Sequence, residues 1–217
     1  LLYSAGPEAF LDLMIQPLDT QRHPDALRRL GGWLFARRTW LPLPIAAVIL
    51  MTPAPPPAIP VLAIGIAFVV TGELLRLWAV RHIGVISRTR SERLGPLVAT
   101  GPFAIVRNPL YIGNALLWIG FTVSAGLPWL VPFVGVLLGA EYHAIVRWEE
   151  GLLDARMGDD YRKYASVVPR WFPRHLELRT SGVQGGFSWR ETFFSERGTL
   201  MAIAAGYLLL WVKSGVI

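Results

Sequence analysis

The sequence predicts an all-α fold, a polytopic membrane helical bundle of about five transmembrane helices. Three observations carry this expectation. The 217 residues are 53% hydrophobic and 17% charged, with a mean hydropathy of +0.43, more apolar than a soluble domain of this length. The apolar residues fall in long runs. The arginines stand at the ends of those runs, the flanking pattern of membrane topology. The formal charge of +6 therefore does not point to nucleic acid, which would need one continuous basic face.

Five runs are candidate spans: residues 40–51, 58–80, 109–124, 127–146 and 199–212. A crossing needs roughly 20 residues. The second and fourth reach that length, and the others need their flanks. Pro42 and Pro44 mark the start of the first run, and Ala125-Gly126-Leu127-Pro128 turns the third into the fourth. Residues 1–15 carry an apolar pattern with Glu8 and Asp12, which reads as a surface helix along the membrane. The chain begins at Leu1, so its natural start is expected upstream, and no cleavable signal pattern is visible.

Loop charge sets the orientation. The segment before residue 40 carries Arg22, Arg28, Arg29, Arg37 and Arg38, and residues 81–108 carry Arg81, Arg88, Arg90, Arg93 and Arg107. The 51–60 and 124–128 loops are uncharged, and 147–198 is dense in both signs. Five spans with a cytoplasmic N-terminus satisfy this alternation. Lys213 is the one basic residue on the other side. The protein is thus expected to be a multi-pass integral membrane protein with both long polar segments in the cytoplasm.

The cysteine count is zero, which removes disulfides, thiolate metal sites and a cysteine nucleophile. His23, His82, His143 and His175 lie in separate segments, so no metal site is expected. Two pairs of ionisable residues fall within spans: Glu73 and Arg76 on one face of the second, and Glu141 and His143 in the fourth. A charge at the bilayer centre costs roughly 2.5–3.5 kcal/mol on insertion scales, so such residues face a partner or a cavity. A simple Glu73–Arg76 pair near the cytoplasmic end is the plain alternative, and for His143 a packed or hydrogen-bonded ring.

Two short blocks carry the chemistry. The first is Gly101-Pro-Phe-Ala-Ile-Val-Arg-Asn-Pro-Leu-Tyr-Ile-Gly113. Proline suits the first turn of a helix, so Asn108 is the expected N-cap, and the helix start would offer free amides to an anion. Arginine, proline and tyrosine at a span start are also ordinary interface punctuation. The second block begins Arg147-Trp-Glu-Glu150, carries Tyr161 and Tyr164, and ends Val168-Pro-Arg-Trp-Phe-Pro173. It reads as a short cytoplasmic helix folded back toward the membrane after a break at Met157-Gly158.

Together the blocks resemble the isoprenylcysteine carboxyl methyltransferase and phospholipid methyltransferase superfamily of integral membrane methyltransferases. Its members carry G-P-[YF]-x-x-V-R-H-P-x-Y-x-G, a hydrophobic hairpin, then E-E-x-x-L-x-x-x-[FM]-G-x-x-Y-x-x-Y-x-x-x-V-P-R. Gly101, Pro102, Phe103, Val106, Arg107, Pro109, Tyr111 and Gly113 match the first pattern. Glu149, Glu150, Leu153, Met157, Gly158, Tyr161, Tyr164, Val168, Pro169 and Arg170 match the second. The resemblance covers residues 100–173. It departs at Asn108, where the family has histidine; asparagine hydrogen-bonds but does not take a proton near neutral pH.

The resemblance implies S-adenosylmethionine as cofactor, bound without a Rossmann motif in a pocket on the cytoplasmic side. Arg107 would suit the cofactor carboxylate, and Glu149 or Glu150 its ammonium or ribose hydroxyls. Tyr111, Tyr161 and Tyr164 would pack on adenine or close the pocket, with Asn108, Pro109, Gly113 and Arg170 completing the cofactor set. The acceptor would be lipid-like or apolar and enter from the bilayer. A carboxylate acceptor needs no base; for an amine or thiol, Glu73, Glu141 and His143 are the candidates, with Arg76 beside them. Two alternatives stand beside this: an NADPH-dependent membrane sterol or steroid reductase, which shares a related R-H-P-N-Y-x-G segment, and a non-catalytic binding module. Four segments follow: 1–38, cytoplasmic or interfacial; 39–99, the first two spans and a basic loop; 100–173, the methyltransferase-like core with its hairpin; and 174–217, a polar segment and the last span.

Overall fold

The structure, a computed structural model, describes residues 26–84, 97–173 and 186–216. The proposed surface helix at 1–15, the arginines at 22, 88, 90 and 93, His23, His175 and the whole 174–185 stretch lie outside the described residues. Among the described residues all regular structure is helical: α1 (Ala26–Arg37), α2 (Pro42–Met51), α3 (Ile59–Ile83), a 3-10 turn (Gly101–Ala104), α4 (Pro109–Ser124), a second 3-10 turn (Pro128–Leu130), α5 (Val131–Met157), α6 (Asp159–Val167) and α7 (Trp189–Val216).

Three helical stretches are long and apolar enough to cross a bilayer: Ile59–Ile83, Pro128–Met157 and Trp189–Gly215. Every predicted apolar run is helical; two of the runs are too short to cross by themselves, one of them with its expected limits, 109–124, unchanged, and two others have shifted limits. The first run is not a span by itself. Its helix α2 has 10 residues, a rise of about 15 Å against a core of about 30 Å. It is joined to α1 at a 65° bend, and the two together make a broken span or a re-entrant loop. Pro42 and Pro44 fix that bend, since neither offers an N–H to continue α1. The third run, α4, is a shorter apolar helix of 16 residues. The fourth does not stop near residue 146; α5 continues to Met157. The fifth starts at Trp189, ten residues before the expected 199.

Helices α3 and α4 form the tightest pair because both present glycine at seven-residue spacing. A Cβ on Gly72 would lie 2.7 Å from the Gly113 carbonyl oxygen, and one on Gly120 would lie 2.7 Å from that of Gly65. The two backbones therefore touch, antiparallel, at two levels. Such small-residue seams drive association where there is no hydrophobic force between helices. Helix α5 packs on the other side through Val134, Leu138, Tyr142 and Ile145, which close a buried cluster with Ile45, Ile49, Ala125, Leu127 and Leu130. Gly31 of α1 rests on the Ala144 carbonyl of α5.

Helix α7 spans the height of the bundle. Its start is a capping box: the Ser188 amide donates to Glu191 at 2.8 Å, and the Glu191 amide donates to Ser188 Oγ at 3.3 Å. Phe187 N–H donates to the Arg81 carbonyl at 2.9 Å, and the Arg81 guanidinium lies 4.2 Å from the Trp189 ring centroid. At the far end Lys213 Nζ donates to the Ile49 carbonyl at 2.8 Å. One end of the bundle thus gathers the uncharged 52–58 loop, the Ala125–Pro128 turn and Lys213. The opposite end gathers Arg81, the 101–108 segment, α6 and the 168–170 stretch. This is an integral membrane helical bundle.

Candidate functional site

The two motif blocks meet at the basic end. Gly158, at φ 53°, closes α5 in a conformation that favours glycine. The short α6 then folds back, and residues after it run beside the first block: the Arg107 amide donates to the Pro169 carbonyl at 2.9 Å. Glu150 is the focus. Arg170 grips it with two parallel bonds, Nε to Oε1 at 2.9 Å and Nη2 to Oε2 at 2.5 Å. Arg107 Nη1 lies 3.0 Å from the same Oε1. A forked arginine–carboxylate pair fixes both orientation and charge.

The neighbouring side chains lock this arrangement. Tyr164 donates to the Phe103 carbonyl at 2.7 Å, and Arg107 donates to the Tyr161 hydroxyl at 3.4 Å. Burial pushes the phenols of Tyr161 and Tyr164 above their ordinary range; for Tyr161 the Glu150 charge adds to this and Arg107 opposes it. The hydrogen bonds to Glu150 hold the Arg170 guanidinium further into its charged form. Glu149 points elsewhere, because successive residues on a helix diverge by about 100°. It accepts a hydrogen bond from Tyr111 at 3.0 Å. Arg107 Nε is buried and has no hydrogen-bond partner.

Asn108 does not act as the expected N-cap. It occupies that position at φ −128°, ψ 53°, but makes no capping bond. Its side-chain amide instead donates to the Arg170 carbonyl at 3.2 Å, fastening the first block to the second.

A second polar cluster lies within the bundle. Arg76 of α3 donates to Asn114 of α4, to Glu196 of α7 and, at 3.0 Å, to Thr199 Oγ1 of α7. Its Nε lies 3.4 Å from Glu73 Oε2. Gly113 sits against this group, since a Cβ there would lie 2.6 Å from Arg76 Cγ. It admits Arg76 at the α3–α4 seam rather than facing Glu150. Asn114 stands beside Tyr142, whose ring lies 5.0 Å from that of Tyr111. Tyr111 in turn meets Glu149, so polar side chains run continuously from Glu73 to the motif site.

Of the four residues expected on the acceptor side, Glu73 and Arg76 come together and Glu141 and His143 do not join them. Those two flank Tyr142 on α5 and are half-buried. Tyr142, Asn114, Glu196 and Thr199 were not foreseen. Glu196 is 120 residues from Arg76 and sits in what reads as a polar segment; the Ser188-Trp-Arg-Glu191 capping box was the signal that a helix starts before it. Among the described residues no group of three or more His, Asp or Glu side chains stands close enough to hold a metal ion.

Residues 60–160 match the family model described as phospholipid methyltransferase. Over that segment, somewhat under half of the chain, the protein is similar to a family that shares a superfamily of integral membrane methyltransferases with the isoprenylcysteine carboxyl methyltransferases. The matched segment contains α3, α4, α5 and the start of α6, and so Arg107, Glu149 and Glu150. Two curated relatives were found. The nickel-cobalt-cadmium resistance protein NccN of Alcaligenes xylosoxydans xylosoxydans is 30% identical over 113 residues, 52% of this chain and 50% of that protein. The cobalt-zinc-cadmium resistance protein CzcN of Cupriavidus metallidurans is 26% identical over 113 residues, 52% of this chain and 49% of that protein. The chain spans about half the length of the curated relatives it matches. No solved structure matches.

Proposed function

We propose that this protein is an S-adenosylmethionine-dependent methyltransferase acting on a lipid-like or apolar acceptor. The observation that carries the reading is the convergence of Arg107, Glu149, Glu150 and Arg170, from two separate motifs, at the charged end of a membrane bundle. The residues fit the cofactor's amino-acid tail. Arg107 keeps a buried Nε donor without a partner, suited to a carboxylate. Glu150 is committed to two arginines, whereas Glu149 bonds to Tyr111 and is the better placed to receive an ammonium. S-adenosylmethionine, when bound, supplies an electrophilic methyl group for in-line transfer. The protein's part is to hold donor and acceptor in line and to exclude water. The arginine-rich end is the cytoplasmic one in this reading.

The test is calorimetric titration of the full chain in detergent with S-adenosylmethionine and, separately, NADPH. Saturable binding of the first alone is expected. NADPH binding in its place would support the reductase alternative, and binding of neither the non-catalytic one. The names of both relatives concern metal resistance. In such a setting the proposed role here is methylation of a membrane component.

A further inference from the structure

Arg76 and Glu73 are three residues apart on one helix face, a spacing at which a carboxylate and a guanidinium normally close into a hydrogen-bonded pair. Here they do not. Glu73 is 6% exposed, yet neither of its carboxylate oxygens has a hydrogen-bond partner. The Arg76 Nε at 3.4 Å is the near charge, and that Nε is itself buried without a hydrogen bond. The guanidinium is drawn away by Asn114, Glu196 and Thr199. Two of these three holds come from α7, which lies outside the matched segment 60–160. Leaving a buried acceptor unsatisfied is costly, so a carboxylate kept open by two residues of another helix marks a place for a donor. Leu74, the next residue on α3, is 60% exposed on the outer surface of the bundle.

We propose that Glu73 accepts a hydrogen bond from the headgroup of an amphiphile entering from the bilayer, and that Glu196 and Thr199 are positioning residues that hold Arg76 off it. The ligand is an apolar chain ending in a proton-bearing nucleophile, an amine or a thiol. A carboxylate headgroup offers no hydrogen at neutral pH and would meet the charge of Glu73. The inference deepens the methyltransferase reading and rests on it for the ligand's role as methyl acceptor; the binding site itself does not.

The experiment titrates the full chain in detergent with dodecylamine, dodecanethiol, dodecyltrimethylammonium and dodecanoate, read by tryptophan fluorescence. S-adenosylmethionine affinity is measured in parallel by calorimetry. Dodecylamine or dodecanethiol should bind about tenfold more tightly than the trimethylammonium and carboxylate probes. Glu73→Gln should abolish that preference. Glu196→Gln should weaken it about tenfold by releasing Arg76 onto Glu73, and Glu196→Asp should restore part of it. Thr199→Val, a milder change, should weaken it about threefold, and serves if the Glu196 variants do not fold. Cofactor affinity should stay within about twofold of wild type throughout. Equal binding of all four probes by the wild type, or an unchanged preference in Glu73→Gln, would overturn the site. A preference lost in Glu73→Gln but intact in both the Glu196→Gln and Thr199→Val variants would overturn the positioning role. Selective amine or thiol binding by a wild type that binds no S-adenosylmethionine would leave the site standing and remove the methyltransferase reading.

Discussion

At the scale of single residues, Glu150 and Arg107 are unequal partners, and their variants should separate. Glu150→Ala leaves two guanidiniums without their shared carboxylate, which in a largely buried setting costs about 3 kcal/mol. A lower thermal midpoint and weakened S-adenosylmethionine binding should appear together. Arg107→Ala leaves Glu150 still gripped by Arg170. Stability should fall less while cofactor affinity falls by about tenfold or more. Unchanged calorimetric affinity in both variants would remove the cofactor site as drawn. Asn108→His is expected to keep cofactor affinity and to add no ionisation near pH 6.5, the ordinary imidazole value, to the pH–rate profile. The Asn108 side chain ties two loops together, a task an imidazole N–H can also perform.

The buried tyrosines give a pH signature. The phenols of Tyr161 and Tyr164 are raised in the folded state from an ordinary value of 10.0, chiefly by burial. A group with a raised folded pKa contributes stability that is full below the unfolded value and is lost as pH climbs through the folded one. The thermal midpoint should therefore hold to about pH 10 and decline above it. Tyr164→Phe should cost about 1 kcal/mol near neutrality, for the lost bond to Phe103, and should flatten the alkaline decline. A steeper alkaline loss in that variant would contradict the assignment.

At the scale of elements, the α3–α4 seam sets how close Arg76 and Asn114 can come. Gly72→Leu would drive a side chain into the Gly113 carbonyl, with its first carbon already at 2.7 Å. Overpacking of this kind costs about 1–3 kcal/mol or more. The thermal midpoint should drop clearly, whereas Gly135→Leu, with nothing within 4 Å of a Cβ, should leave it nearly unchanged. The α4–α5 hairpin was legible in the sequence because its apolar runs are long and the Ala125–Pro128 turn is uncharged. The limits of α5 and α7 were not. Arg147, Glu149 and Glu150 read as the end of a span, but the helix persists until Gly158 supplies a positive φ. Arg190, Glu191, Glu196 and Arg197 read as a polar loop because hydropathy averages over faces. Thr192, Ser195 and Glu196 are buried on one face of α7, and Glu196 meets Arg76, a partner that no local pattern reveals. The motif site was legible for the opposite reason: its residues come in fixed order and spacing in two short blocks. What spacing could not show was which glutamate takes the arginines.

At the scale of the whole molecule, charge and helix direction together make a topology that can be measured. The 52–58 loop, the Ala125–Pro128 turn and the end of α7 share one end, joined by the bond from Lys213 to the Ile49 carbonyl. Arg81, Arg107, α6 and the start of α7 share the other. Arginine-rich ends stay in the cytoplasm, so residue 56 should face the non-cytoplasmic side and residue 163 the cytoplasm. The sequence has no cysteine, which makes single-cysteine labelling clean. In intact cells a membrane-impermeant maleimide should label Pro56→Cys. It should reach Lys163→Cys, on the exposed face of α6, only after permeabilisation. Ser214→Cys decides the role of α7, whose 28 residues rise about 42 Å, enough to cross. It should be labelled with residue 56, on the side opposite to residue 163. If residues 214 and 163 were instead accessible from the same side, α7 would not cross, and Glu196 could not meet Arg76 inside the bilayer.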